Sequence, residues 1–157
     1  MKITDFITED CIKAELESED KDELFEEMID VLVRTKTEYD RETLIDAISE
    51  RESKMSTGIG NGIAIPHGKT NAVKDICGVI GTSRAGIDYD SLDGEPVHVV
   101  FMLLAPIDSA GPHIKALQKI AILMKDRGFY QRLNDAKSSK EIYQIIFNEE
   151  ARLESEE

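Results

Sequence analysis

His67 is the residue of this sequence best placed for chemistry. It lies between Pro66 and Gly68, directly after the short apolar run 63–65. Proline has a fixed φ angle and favours an extended conformation in the residue before it, so this run is predicted to be a strand that ends at the histidine. Because an imidazole is neutral near pH 7, it can act as a nucleophile or as an acid–base group. The sequence therefore predicts a reactive histidine at a strand end.

A glycine-alternating loop precedes this strand and offers groups that can bind an anion. Glycines allow backbone N–H groups to approach a ligand closely, and two hydroxyl groups and an upstream arginine add further donors. An imidazole that accepts a phosphoryl group needs such donors, because negative charge develops on the phosphoryl oxygens. The predicted phosphoryl-binding residues of the loop are Ser56, Thr57, Gly58, Gly60 and Asn61.

Three other kinds of site fit the sequence less well. Gly68-Lys69-Thr70 resembles the end of a nucleotide-binding P-loop, but that motif requires glycine where this chain has Ile63, and the dinucleotide pattern GxGxxG also fails. A metal-dependent hydrolase is a distant alternative, because the chain has three histidines, although no two of them have the spacing of a metal clip. A serine or cysteine nucleophile lacks its usual motif. We therefore predict no metal site and no nucleotide site.

The segment from Arg51 to Gly68 closely resembles the signature of the type-2 IIA proteins of the bacterial phosphotransferase system. This is the fructose, mannitol and nitrogen-regulatory class. A second stretch, residues 103–106 followed by residues 113–117, is similar to the family's strand, loop and histidine-led helix. The resemblance identifies His67 with the phosphorylated histidine, His113 with the second active-site histidine and Arg51 with the active-site arginine of the family.

The resemblance also implies a function and a set of partners. We expect a phosphotransferase that accepts a phosphoryl group on His67 from the phosphohistidine of the carrier protein HPr and needs no cofactor. The group would then pass to a IIB component or act as a regulatory switch. The alternative is a regulatory binding module that docks target proteins according to its phosphorylation state, with little onward transfer. Sugar uptake and nitrogen-type regulation are both open at this stage, as is the oligomeric state.

Strands and helices alternate along the chain and must position these residues. Period-two alternation predicts a strand at residues 12–16, and apolar runs predict strands at 76–82 and 97–105. The interleaving of strands with helices predicts helical layers packed on a sheet. The family resemblance implies a single α/β domain with a mixed β-sheet that is flanked by helices on both faces.

Four helices are predicted from their start signals and apolar periodicity. The first begins at a Ser18 N-cap and runs to about residue 34, and the second runs from Asp40 to about residue 53. The third begins near Pro112, and a capping box at Ser138 opens the last. His113 is thereby predicted to lie in the first turn of a helix.

Composition limits the class of protein and its partners. The 157 residues suit one domain, for which we expect boundaries at 1–148 and an acidic, frayed tail at 149–157. A net charge of −13 argues against nucleic-acid binding but is compatible with a basic protein partner. The chain lacks an apolar run of about 20 residues and a signal-peptide core. We therefore expect a cytoplasmic protein without direct membrane insertion, whose Cys11 and Cys77 stay reduced.

Overall fold

The computed structural model describes residues 1–156 of the chain. Within them lie six β-strands and five α-helices, preceded by two short 3₁₀ turns at Ile3–Asp5 and Glu9–Cys11. The strands are β1 (Ile12–Lys13), β2 (Gly58–Gly60), β3 (Ile63–Ala64), β4 (His67–Lys69), β5 (Cys77–Ile87) and β6 (Val97–Ala105). The helices are α1 (Lys21–Thr35), α2 (Arg41–Glu52), α3 (Ala110–Met124), α4 (Arg127–Asp135) and α5 (Ser139–Ser155).

The strands form one mixed sheet centred on β5 and β6. These two long strands are antiparallel, and their residues are buried along most of their length because both faces of the sheet are covered. The strand order is β1-β5-β6-β3-β2, and β4 pairs with β6 beyond the end of β3. Strand β1 runs parallel to β5, and β3 and β4 run parallel to β6, whereas β2 and β3 form an antiparallel hairpin. The predicted mixed α/β architecture is confirmed.

Helices cover both faces of this sheet. Helices α1 and α2 pack against each other, with α1 on β5 and α2 on β4, while α4 packs on β5 and β6 and contacts α3 and α5. Two glycines of β5 show that both faces of the sheet are covered. A Cβ added at Gly81 would meet Met28 of α1 on one face, whereas a Cβ added at Gly78 would meet Ile7 on the other. Successive residues of a strand point to opposite faces. The core therefore has two apolar layers with the sheet between them.

Several element boundaries differ from the predicted ones for local reasons. Helix α1 is capped by Asp20, whose carboxylate accepts the Glu23 N–H bond, while the Ser18 hydroxyl donates to Glu27 instead. The first strand ends after Lys13 because Glu15 takes a positive φ of 60°. Helix α4 was not predicted at all, although Asp126 caps it in the usual way through two backbone N–H groups. Its buried residues Phe129, Tyr130 and Leu133 recur at helical spacing, so the sequence did contain a signal for this helix.

The prediction of a frayed tail from residue 149 is wrong for the part of the tail that the structure describes. Helix α5 continues to Ser155, and Glu149 and Glu150 are buried within it. Glu150 accepts hydrogen bonds from the backbone N–H groups of Ile3 and Thr4, and Glu149 pairs with Arg132 of α4 as well as with Arg152. Partners distant in sequence thus stabilise charges that look solvated in the sequence. Glu157, the last residue of the predicted tail, lies outside the described residues.

None of the helices in residues 1–156 is both long enough and apolar enough to cross a membrane.

Candidate active site

His67 lies in the second half of an interrupted strand. Both β3 and β4 pair with β6 in one continuous parallel register, Ile63 opposite Val99 and His67 opposite Leu103. Pro66 lies at the interruption, where it has no N–H to contribute to the ladder, but its carbonyl still accepts a hydrogen bond from Leu103 N at 2.9 Å. The predicted strand thus ends at Ala64, and His67 begins a new strand instead of following the old one. Pairing with β6 fixes the backbone of the histidine.

Gly68 allows helix α2 to approach β4 closely. A Cβ at Gly68 would lie only 2.8 Å from the carbonyl oxygen of Ala47 in α2, nearer than side-chain carbons come to backbone atoms. Because neighbouring residues of a strand face opposite sides, His67 and Lys69 point away from this contact. Within the described residues, β4 pairs with β6 alone, so its other edge is open. The C-terminal end of α2 can therefore reach the histidine around this edge.

A cleft of about 380 Å³ lies between the end of α2, strand β4 and the start of α3. It brings together the three residues predicted from separate parts of the sequence, His67, His113 and Arg51. The remaining lining residues come from the same three elements and the turn after α2: Ala47, Glu50, Lys54, Gly68, Lys69, Ile114 and Leu117.

Hydrogen bonding selects the free nitrogen of His67. Its Nδ1 lies 2.7 Å from the carbonyl oxygen of Ile65, and because a carbonyl can only accept, Nδ1 must carry the proton. The lone pair is then on Nε2. Burial lowers the pKa of His67; the bond to Ile65 opposes this shift and the nearby Arg51 charge adds to it. The half-buried ring is therefore neutral at pH 7, with Nε2 available as a nucleophile.

His113 is a buried side chain without a hydrogen-bonding partner. Only 3% of it is exposed, and neither ring nitrogen has a partner among the described residues. Its ring packs edge-on against His67, with the ring centroids 5.4 Å apart. Burial lowers the pKa of His113 to about 4, and the nearby His67 and Lys69 shift it in the same direction. A buried polar group without a hydrogen bond costs free energy, so a ligand that forms a hydrogen bond with the His113 ring would remove this cost and bind more tightly.

Three cationic side chains line the cleft in a chain of net charge −13. They are Arg51, Lys54 and Lys69, and none of them makes an ion pair with an acidic side chain in residues 1–156. Arg51 donates one bond, from Nη1 to the Met55 carbonyl oxygen at 3.1 Å, so most of its five N–H donors stay available. Sequence reasoning missed both lysines. Lys69 could have been found, because it shares a face of the strand with His67 two residues earlier.

The glycine-rich loop does not line this cleft. Gly60-Asn61-Gly62 forms the turn of the β2–β3 hairpin, with φ angles of 96°, 58° and 80°. Asn-Gly with two positive φ angles is the usual sequence of a two-residue hairpin turn, a signal that was present in the sequence. The Asn61 N–H donates to Asp93, and the Gly58 N–H donates to the Ser56 hydroxyl.

Thr57 is likewise bound elsewhere. Its side chain is 4% exposed, and its hydroxyl group bonds both to the Glu52 carboxylate and to the Tyr89 hydroxyl. The structure therefore corrects the prediction for Ser56, Thr57, Gly58, Gly60 and Asn61: their contacts place them in the scaffold beside the site and not in its lining.

The third histidine lies in a different environment. His98 is in β6, and its Nδ1 donates to the Ser83 carbonyl oxygen at 2.8 Å on the neighbouring strand. Among the described residues, no three His, Cys, Asp or Glu side chains are arranged so that they could hold a metal ion. Cys11 and Cys77 are both buried and unpaired, and burial raises the pKa of the Cys77 thiol to about 12. His67 and His113 are thus the two histidines that share a site.

Comparison with known proteins finds relatives that match most of the chain. The sequence profile of the family "phosphoenolpyruvate-dependent sugar phosphotransferase system, EIIA 2" matches residues 5–149. The chain is 41% identical over 146 residues to the PTS system fructose-specific EIIABC component of Bacillus subtilis, although it spans only 23% of the length of that protein. It is 32% identical to a nitrogen regulatory protein of Bradyrhizobium diazoefficiens, with 93% of this chain and 95% of the relative covered.

Solved structures share the fold. The nitrogen regulatory protein IIA-Ntr of Neisseria meningitidis superposes with a TM-score of 0.85 at 30% identity, covering 92% of this chain and 98% of the other. The IIA mannitol protein of Escherichia coli superposes with a TM-score of 0.74 over 87% of this chain and 96% of the other, and at 21% identity it supports the fold alone. The profile match covers most of the chain, and so the chain belongs to the EIIA type-2 family of the phosphoenolpyruvate-dependent sugar phosphotransferase system.

Proposed function

We propose that His67 accepts a phosphoryl group from the phosphohistidine of an HPr-type carrier and that the protein is a phosphoryl carrier of the phosphotransferase system. The observation that carries this proposal is the pairing of a free His67 Nε2 with a buried, unpartnered His113 in a cationic cleft. A phosphoryl group on Nε2 would supply the acceptor that the His113 ring lacks. Members of the family act as phosphocarriers, which agrees with this assignment.

The transfer step exchanges one N–P bond for another. The N–P bond of the donor breaks as the lone pair of His67 Nε2 forms the new bond, and the donor imidazole leaves with its electron pair. The proton on His67 Nδ1 stays on the ring, held by the Ile65 carbonyl. No net proton transfer is required, so the protein needs to align the groups and to neutralise the phosphoryl oxygens. Arg51 supplies charged donors for those oxygens, and Lys54 and Lys69 add positive charge around them.

The onward partner is a IIB component or a regulatory target. A solved complex of the E. coli IIA mannitol protein with phosphorylated IIB mannitol protein has the same fold in its IIA partner, which supports a IIB acceptor. Relatives that match almost from end to end are nitrogen regulatory proteins, which supports a switch role. Phosphorylation adds nearly two negative charges to the cleft and would change any surface that docks there. Because the proposed donor is a cytoplasmic carrier, the proposal also places this chain in the cytoplasm.

Phosphoryl labelling tests the proposal. Purified protein incubated with phosphorylated HPr is expected to take up one acid-labile phosphoryl group, whereas His67→Ala takes up none. His98→Ala is the matched control, because His98 lies on the same sheet with its Nδ1 bonded to a carbonyl in the same way, yet outside the cleft. It is expected to label like the wild type. Acid-labile label that persists in His67→Ala would refute the assignment.

The two onward roles are separated by a second measurement on the labelled protein. Rapid loss of label to a fructose-type or mannitol-type IIB component would identify a carrier of the uptake pathway. Retention of label, together with partner binding that differs between the phosphorylated and unphosphorylated protein, would identify a regulatory switch.

A further inference from the structure

Glu52, the residue after Arg51, has a carboxylate that is buried and fully engaged. Only 8% of the residue is exposed, and its oxygens accept hydrogen bonds from Thr57 N at 2.8 Å, Thr57 Oγ1 at 2.5 Å and Tyr89 Oη at 3.1 Å. Lys21 Nζ lies 3.1 Å away and forms an ion pair with it. Burial would raise the pKa of Glu52, but the bonds from Thr57 and Lys21 lower it below its ordinary value, so the group is a carboxylate. A buried charge with this many partners is held in one position.

This carboxylate joins the two ends of the loop that follows α2. Glu52 is the last residue of the helix and Thr57 is the first residue after loop 53–56. Met55 lies within that loop, and its side chain is 62% exposed, so no apolar packing anchors it. Its carbonyl oxygen nevertheless accepts the one hydrogen bond that Arg51 donates. The position of that carbonyl therefore depends on how the loop is closed.

The Met55 carbonyl is needed to hold the Arg51 guanidinium in one orientation. An arginine side chain has several rotatable bonds and loses substantial conformational freedom when it is held in one orientation. On the part of the chain that the structure describes, no carboxylate pairs with Arg51 to orient it, and the Met55 carbonyl is its hydrogen-bonding partner. A misplacement of about 1 Å in a group that aligns the reacting atoms is enough to slow a reaction strongly.

We propose that Glu52 is a positioning residue for phosphoryl transfer, which fixes loop 53–56 through Thr57 and so holds the Met55 carbonyl that directs the Arg51 guanidinium to the cleft. This inference rests on the proposed function. Glu52 does not line the cleft. Its negative charge raises the pKa of His67, but burial keeps that pKa below its ordinary value, so Glu52→Gln leaves the His67 ring neutral at pH 7 and above. At such a pH its substitution should therefore slow phosphoryl transfer only when Arg51 is present.

A double-mutant cycle tests this dependence. The rate of labelling at saturating phosphorylated HPr is measured for Glu52→Gln, Arg51→Ala and the double variant. We expect Glu52→Gln to be slower than the wild type by about tenfold and Arg51→Ala by about a hundredfold, with the donor affinity nearly unchanged. The double variant should be no slower than Arg51→Ala. Rates in which the two effects multiply would show that Glu52 acts independently of Arg51 and would overturn the proposal.

Glu150→Gln is the matched control for a loss of stability. Glu150 is also a buried carboxylate at 1% exposure, with bonds from Ile3 N, Thr4 N and Thr4 Oγ1 and a lysine partner, Lys119, but it lies outside the cleft. It should lower the midpoint of thermal unfolding about as much as Glu52→Gln while leaving the labelling rate unchanged. If Glu52→Gln does not fold, Tyr89→Phe replaces it, because that change removes one donor to Glu52. A slowing of about twofold to threefold is then expected, and only with Arg51 present.

A readout without phosphoryl transfer separates failure of this inference from failure of the proposed function. The Arg51 Nε–H resonance of ¹⁵N-labelled protein reports the mobility of the guanidinium. Its order parameter should fall in Glu52→Gln and stay at the wild-type value in Glu150→Gln. An unchanged order parameter in Glu52→Gln would overturn the positioning role even if His67 is labelled. A wild-type protein that takes no label would refute the proposed function, and a fall in the order parameter would still establish the support of Arg51 by Glu52.

Discussion

The β2–β3 hairpin and the His67 cleft are built from adjoining residues but differ in hydrogen bonding: polar groups of the hairpin have partners, whereas several polar groups of the cleft do not. In the hairpin, the Asn61 N–H donates to Asp93 and the Gly58 N–H donates to the Ser56 hydroxyl. Within residues 1–156, both ring nitrogens of buried His113 are without a hydrogen-bonding partner, and the three cations of the cleft have no carboxylate partner. Satisfied groups stabilise a fold, whereas unsatisfied groups keep binding capacity for a ligand.

The glycines differ between the two regions in the same way. In the hairpin, Gly62 provides a backbone conformation that other residues adopt only with strain. In the lining of the cleft, the absence of a side chain at Gly68 provides space, because α2 lies against it. We therefore expect changes in the hairpin to affect stability, and changes in the cleft to affect chemistry or its pH dependence.

The largest expected effect is on the hairpin. Gly62→Ala should lower the free energy of unfolding by about 3 kcal/mol, because φ is +80° and the added Cβ would collide with the Tyr130 hydroxyl. Gly94→Ala is the control, since φ is +74° there but no atom lies within 4 Å of the added Cβ, so a loss of about 1 kcal/mol is expected. Chemical denaturation measures both. A labelling rate that falls in folded Gly62→Ala would show that the hairpin takes part in transfer, contrary to this comparison.

The next effect is on the pH dependence of stability. The pKa of His113 is about 4 in the folded protein, below its ordinary value of 6.5. At a pH between these two values the ring is protonated in the unfolded chain but neutral in the native state. Stability is then complete above about pH 6.5 and falls as the pH drops towards 4. We expect the wild type to lose about 2 kcal/mol more than His113→Gln between pH 7 and pH 5. Parallel losses in the two proteins would show that the unpartnered ring carries no such cost.

The smallest expected effect tests the charge of the cleft. Lys69→Ala should slow labelling about fivefold, because a cation at the cleft stabilises the phosphoryl oxygens by about 1 kcal/mol, and the difference should shrink at high salt. Lys115→Ala is the control, because Lys115 is an exposed lysine of α3 that does not line the cleft. Stopped-flow or quench measurements of labelling at two salt concentrations provide the comparison. Equal slowing in both variants would indicate a general effect of net charge.

Sequence reasoning predicted part of the scaffold and part of the lining of the cleft. Strand β6 was predicted with its observed ends, because a long apolar run bounded by two prolines has few other structures. The residues His67, His113 and Arg51 were named together on the strength of a family resemblance, and they do line one cleft. The loop residues were assigned to the phosphoryl group because glycines suit both anion binding and tight turns, and the sequence pattern Asn61-Gly62 was not read as a turn.

The sequence by itself determined several local features of this protein: a histidine between Pro66 and Gly68, a strand interrupted at Pro66, a hairpin turn at Asn61-Gly62 and amphipathic helices. These follow from backbone geometry and periodicity, which act over a few residues. Only the tertiary structure decided which polar groups are satisfied. In the sequence, Glu52 and Glu150 resemble ordinary surface charges, but in the folded chain they accept hydrogen bonds from Thr57 and Ile3. His113 lacks hydrogen-bonding partners among the described residues because α3 packs beside β4. Burial and long-range partners are properties of the folded chain, and they give this cleft its capacity to bind.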